Sequence, residues 1–290
     1  MKERILITVK TYPTLSRKYA ELVCTAGVNE KGEWRRIFPI QFRQLQKGQK
    51  YKKYQWIEIE IKKSSCDRRP ESYKIIDNEK LVLGDSPLST KNQWEERRTN
   101  FIDKVPLHRD LGNLIKQAHR NTLSLEHFQP SEWLGFTCQE VEGKWDKNRL
   151  NLLKQQKRQL DFFKDPNTVE QDFTVVNKLP YKFSYRIKDC FGKESTMMIE
   201  DWEIGALYHN CLKKYGENPQ VAKDKVCQKY WDEFMVNTKY DTSLVLGTTL
   251  AHHNKKARNP FVIISVVPTP RKVPTPKKVP KPRNLQMNLF

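Results

Sequence analysis

Glycine is scarce in this chain, 11 residues in 290, and none of the 11 belongs to a Gly-rich loop of the kind that cradles nucleotide phosphates. No serine or cysteine sits in a recognisable nucleophile elbow. Six cysteines, at 24, 66, 138, 190, 211 and 227, include no Cys-x-x-Cys pair, which argues against a disulfide framework and a zinc site and for reduced thiols inside a cell. No stretch approaches the roughly 20 apolar residues of a membrane span. The opening Met1-Lys2-Glu3-Arg4-Ile5 lacks a signal-peptide layout, and no amphipathic basic helix or lipidation signal suggests a membrane partner. A cytoplasmic, nucleoid-associated protein is the expectation.

Acidic residues are also few, 34 against 53 lysines and arginines, and the net charge of +19 points to a polyanionic partner. Nucleic acid is the most economical choice, because neutralising phosphates releases counterions and supplies affinity without sequence information. DNA is favoured over RNA. Part of the charge lies at residues 268–285, where six prolines alternate with Arg271, Lys272, Lys277, Lys278, Lys281 and Arg283. Such a segment has no hydrophobic periodicity and reads as an extended, disordered tether. The chain then ends Gln286-Met287-Asn288-Leu289-Phe290. This peptide resembles the motif by which bacterial polymerases and repair factors dock on the sliding clamp. The resemblance implies that Leu289 and Phe290 fill an apolar pocket on the clamp while Gln286 hydrogen-bonds at its rim.

Residues 1–84 read as strands: Ile5 to Val9, Ala20 to Val28, a turn at Asn29-Glu30-Lys31-Gly32, Trp34 to Ile40, and a strictly alternating stretch from Gln55 to Lys63. Short strands at this spacing suggest a small barrel. The string Val23-Cys24-Thr25-Ala26-Gly27-Val28, followed by Glu33-Trp34-Arg35-Arg36-Ile37-Phe38-Pro39-Ile40, resembles a signature of uncharacterised bacterial proteins with paired OB-like barrels. That resemblance implies single-strand binding by Trp34, Arg35, Arg36, Phe38, Phe42 and Arg43. The alternative is that Trp34 and Phe38 are core residues with arginines outside. Arg68 and Arg69 stand in a polar loop where they either contact phosphate or pair with Asp67 and Glu71.

The remainder completes an α+β protein: a mainly helical segment at 85–167, a second α+β unit at 168–267, and the tail. Leu111, Leu114, Ile115 and Ala118 mark one helix, and Leu150, Leu153, Leu160 and Phe163 mark another. Asp201 and Glu203 open a helix that Gly216 ends, and Asn218-Pro219 starts the next. Strands at Ser243 to Leu246 and Pro260 to Val267 close the core.

The densest polar constellation, His252, His253, Lys255, Lys256 and Arg258, falls in the loop between those last strands and reads as phosphate-binding, with a plain solvated loop and a catalytic loop as the alternatives. Catalytic signals are thin. Glu60-Ile61-Lys62 has the Glu-x-Lys spacing of restriction-type nucleases without the upstream aspartate, and Asp201 and Glu203 are the other weak carboxylate candidates. Mg2+ would accompany only a nuclease; otherwise neither cofactor nor metal is expected. The leading expectation is a non-catalytic nucleic-acid-binding protein that its tail recruits to the clamp, in replication, repair, phage defence or mobile-element biology. A clamp-tethered nuclease and an RNA-binding module with an incidental tail stand as alternatives.

Overall fold

The computed structural model describes residues 1–272, apart from 17–19, 41, 43, 44, 46, 78 and 161–174. The N-terminal strands are β1 (Lys2–Lys10), β2 (Thr14–Ser16), β3 (Ala20–Asn29), β4 (Trp34–Ile40), β5 (Trp56–Lys63), β6 (Ser72–Ile75) and β7 (Val82–Leu83). Strand β1 pairs with β3, β3 with β4, β4 with β6, β6 with β5, and β5 returns to β1. These five strands close a small Greek-key barrel of the OB-like kind, in which β4 and β6 run parallel and the other pairs antiparallel. The predicted turn at Asn29 is built as expected: its side-chain oxygen accepts from the backbone N–H groups of Lys31 and Glu33, and Gly32 takes a positive φ of 84°.

Strand β1 shows why the barrel does not stand alone. Ile5, Leu6, Ile7, Thr8 and Val9 are all buried, so the strand is covered on both faces. Ile5 and Ile7 fill the barrel with Ile37, Ile57, Ile59 and Ile61. Leu6 and Val9 face outward into a second core with Val28, Trp34, Tyr54 and Phe101.

Beyond the barrel come α1 (Lys91–Arg97), β8 (Leu107–His108), α2 (Leu111–His119), β9 (Leu125–Phe128), β10 (Glu132–Glu140), α3 (Lys147–Leu160), β11 (Tyr181–Lys188), β12 (Glu194–Met198), α4 (Trp202–Lys214), α5 (Pro219–Cys227), β13 (Tyr240–Thr248), α6 (Leu250–Asn254) and β14 (Phe261–Pro270). The helix starts read from sequence are in place, each with a side-chain cap. Asp201 accepts from Glu203 N to open α4, and Asn218 accepts from Gln220 N and Val221 N with Pro219 in the first turn of α5. The strands form two sheets, β14-β13-β9-β8 and β10-β11-β12. The segment at 85–167, expected to be mainly helical with one strand from Leu134 to Val141, supplies that strand as β10 and adds β8 and β9, in sheets completed by residues from the C-terminal half.

Alternate residues of β13 and β14 again serve two cores. Leu244, Leu246, Ile263 and Val266 pack on α2, α4 and α5, while Val245, Val262, Ile264 and Val267 join the core beneath the barrel. The tether also begins later than its composition indicates. Pro268 and Pro270 lie opposite Thr242 and Tyr240 in the ladder, which β14 tolerates because it is an edge strand and one side needs no N–H donors.

Candidate nucleic-acid interface

Between barrel and C-terminal half lies a basic cleft of about 210 Å³, lined by Arg68 and Arg69 from the loop before β6, His119 and Asn121 from the end of α2, and His253 and Lys256 from α6 and the turn after it. The stretch expected as a loop here is partly a short helix, which begins where Thr249 Oγ1 accepts from His252 N. Two left-handed residues, Asn121 (φ 58°) and Lys256 (φ 49°), turn the chain sharply at the cleft.

A relay of hydrogen bonds sets its shape. His253 Nε2 lies 2.8 Å from Asn121 Oδ1, and its Nδ1 lies 3.2 Å from Thr248 Oγ1. An amide oxygen only accepts, so His253 donates through Nε2, and the neutral ring accepts the Thr248 hydroxyl at Nδ1. Burial lowers its pKa, with Arg69 and Arg36 adding repulsion, which holds the ring neutral. Asn121 Nδ2 then donates to the Arg68 carbonyl, 3.1 Å away, tying the arginine loop to the C-terminal half. On the other wall His119 Nε2 donates to the Ala257 carbonyl at 2.9 Å.

The floor is a buried charge network. Arg36, only 2% exposed, donates to the carbonyls of Thr248 and Ser124, both at 2.9 Å, and to Ser124 Oγ at 3.1 Å. Burial and the neighbouring Arg69 bring its pKa down to about 10, so it stays charged at neutral pH. Arg69 chelates Asp67, with Nε at 2.9 and 3.1 Å from its two oxygens, and also reaches the Thr248 carbonyl. Burial opposes ionisation of Asp67, but Arg69 outweighs it and holds the carboxyl at about 2. Glu71 accepts from Ser124 N and Ser124 Oγ. Above this floor the side chains of Arg68 and Lys256 are exposed and have no hydrogen-bond or ion-pair partner among the described residues; the same holds for Lys255 and Arg258 nearby.

Several expected binding residues are engaged elsewhere. Trp34 is a core residue, 8% exposed and edge-on to Phe101 at 5.9 Å. Arg35 pairs with Glu3 and Glu33, each at 2.7 Å. Arg36 and Arg69 belong to the floor. Phe38 is half-buried, and Phe42 is buried with the Lys10 ammonium 4.1 Å above its ring. The barrel face that carries Arg36 is thus covered by the C-terminal half rather than open to bases. His252 is exposed on α6 without lining the cleft. Arg43, Gln286, Leu289 and Phe290 lie outside the described residues.

The carboxylate candidates are dispersed. Glu60 pairs with Lys80 at 3.7 Å on the barrel surface, and Lys62 is exposed opposite Lys74. Asp201 and Glu203 both contact Lys53, at 3.1 and 2.9 Å; burial works against this ammonium, but the two carboxylates prevail and raise its pKa. Asp201 also accepts from Val266 N, so its oxygens are occupied. No group of three or more His, Cys, Asp or Glu among the described residues is arranged to hold a metal ion. No helix among them is long and apolar enough to cross a membrane.

Sequence reasoning missed His119 and Asn121. The available signal was an asparagine just past the end of a periodic helix, where a left-handed turn is common. A second basic cleft of about 400 Å³ is lined by Arg98, Asp241, Arg271 and Lys272, the last two being the final described residues. It sits at the opposite end of β13, seven residues from Thr248 and so roughly 24 Å along the strand.

Residues 1–104 match the family model described as Domain of unknown function (DUF8758), and residues 108–288, more than half of the chain, match that described as Domain of unknown function (DUF8757). No curated protein matches the sequence. The gap between the two matches falls where the barrel and its following helical turns give way to β8.

Proposed function

We propose that this chain, which belongs to the family described as Domain of unknown function (DUF8757), binds nucleic acid through the cleft of Arg68, His119, His253 and Lys256, and is brought to its substrate by the C-terminal peptide. The carrying observation is the pair of exposed cations, Arg68 and Lys256, without a partner among the described residues, at a cleft whose shape is fixed by Thr248, His253 and Asn121. A preorganised concavity with uncompensated positive charge suits a phosphate of the backbone, and such contacts carry no sequence preference. Lys255 and Arg258 extend the positive surface, and Arg271 and Lys272 lead from the second cleft into the basic tail. Gln286, Leu289 and Phe290 would then engage the sliding clamp, so that two weak contacts joined by one linker hold the protein on replicating or repaired DNA.

The test uses fluorescence anisotropy with a labelled oligonucleotide as single-stranded DNA, single-stranded RNA and duplex DNA, over a range of salt. Arg68→Glu with Lys256→Glu should weaken binding at least tenfold and reduce the slope of log affinity against log salt by about 2. Unchanged affinity and slope would remove the cleft from the interface. A parallel binding assay with a bacterial sliding clamp should lose its signal on Leu289→Ala with Phe290→Ala; clamp binding that survives both changes excludes the peptide.

A further inference from the structure

Two cysteines that are 89 residues apart in sequence meet in the C-terminal half. Cys138 lies on β10 and Cys227 is the last residue of α5; their sulfurs are 3.0 Å apart, and both residues are half-buried. That separation is closer than two sulfurs rest without an S–H···S hydrogen bond, and about 1 Å beyond a disulfide bond length. We propose that Cys138 and Cys227 are a redox modification site, closing to a reversible disulfide by exchange with a small disulfide of the glutathione class.

Either thiol can donate across this contact. With Cys138 as the donor, its pKa is raised and that of Cys227 lowered. Burial and Asp224 oppose the Cys227 thiolate, and Lys223, one turn back on α5, favours it. In that arrangement Cys227 is the attacking sulfur. Its thiolate attacks one sulfur of oxidised glutathione, forming a mixed disulfide and expelling a glutathione thiolate. Cys138 then loses its proton and attacks Cys227 Sγ, expelling the second. Two protein thiols and one glutathione disulfide become one protein disulfide and two molecules of glutathione.

The fold accepts this bond with little movement, because the two elements are already packed together. Phe136 on β10 stacks against Tyr230, three residues beyond Cys227, with centroids 6.3 Å apart. The bond would staple the end of α5 to β10. Simple accessibility predicts a different outcome, since Cys66 and Cys190 are the exposed thiols and Cys66 also has the Lys74 ammonium 3.2 Å from its sulfur.

The full-length protein, equilibrated in oxidised and reduced glutathione mixtures, is quenched by alkylation and analysed by non-reducing peptide mapping. The expected result is a peptide pair joined through Cys138 and Cys227 that dithiothreitol separates, with a rise of about 5–10 °C in the thermal midpoint of the oxidised form. Cys138→Ser should leave Cys227 as a mixed disulfide with glutathione and abolish the rise. The proposal is overturned if wild-type protein carries glutathione on Cys66 and Cys190 while Cys138 and Cys227 remain alkylatable. The wild-type map decides this even where the variant does not fold.

Discussion

Arg36 spends its guanidinium on two carbonyl oxygens and a hydroxyl of the opposite half, with no bidentate carboxylate to match its charge. Its planar fork suits two diverging acceptors in a way a lysine ammonium does not. Arg36→Lys should therefore cost about 2–4 kcal/mol in urea unfolding, since carbonyls are left unsatisfied around a buried charge; a loss under about 0.5 kcal/mol would show that the fork is dispensable. Neighbouring residues on β9 supply a pH signature. Burial, with repulsion from His108, lowers the pKa of His127 to about 4, and burial, with repulsion from Glu71, raises that of Glu126 to about 7. His127 is neutral in the fold but protonates more readily when unfolded, so its stabilisation is present above about pH 6.5 and up to about 3 kcal/mol is lost as pH falls toward 4. Glu126 has the opposite sign: its contribution is present below about pH 4.5 and is lost as pH rises through 7. The two oppose each other in the wild type. Midpoints measured from pH 7 to 4.5 should fall more steeply in Glu126→Gln, whereas His127→Gln should gain stability on acidification; parallel curves for all three proteins would contradict both assignments.

Strand β1 must accept close neighbours on both faces, and Gly27 on β3 makes one approach available. A Cβ at Gly27 would stand 2.0 Å from the Leu6 carbonyl oxygen, which is backbone and cannot rotate away. Gly27→Ala should destabilise by about 3 kcal/mol or more through strand displacement; near-wild-type stability in chemical denaturation would show that the barrel gives freely there. The Gln55 to Lys63 alternation was legible as a strand because β5 is buried on only one face. The apolar runs at Ile5 to Val9 and Phe261 to Val267 were equally legible as strands, but periodicity could not say that their second faces meet each other. Pro268 and Pro270 were read as tether because proline breaks most strands; only the edge position of β14 made room for them.

For the molecule as a whole, the outward face of the barrel is part of a shared core. A fragment of residues 1–104 would lose Leu125, Val245, Val262, Ile264 and Val267 from the core that Leu6, Val9 and Val28 share with them. It should aggregate or bind a hydrophobic dye strongly, and co-expression with residues 105–290 should restore a compact complex. A monomeric fragment with sharp, dispersed amide resonances would show that the barrel is self-sufficient. The same covering explains the changed reading of the arginines. The resemblance to OB-like barrels put Trp34, Arg35 and Arg36 on a binding face, and the loop of Arg68 and Arg69 stood between phosphate contact and pairing with Asp67 and Glu71; the packing of the halves buries Arg36 and Arg69, pairs Arg35 with glutamates and Arg69 with Asp67, and leaves Arg68 lining the cleft with Lys256.

The sequence by itself determined the α+β class, the small N-terminal barrel, the helix starts at Asp201 and Asn218, and the excess of positive charge, because turns, helix starts, periodicity and net charge are local or additive properties. It also placed Arg68, His253 and Lys256 among the residues to watch. Only the tertiary structure decided that they share a cleft with His119 and Asn121, that Arg36 belongs beneath it, and that Cys138 meets Cys227. Each of these depends on which faces are covered when the two halves, and the sheets within them, pack together. That outcome is set by the complementarity of distant surfaces, which no local pattern encodes.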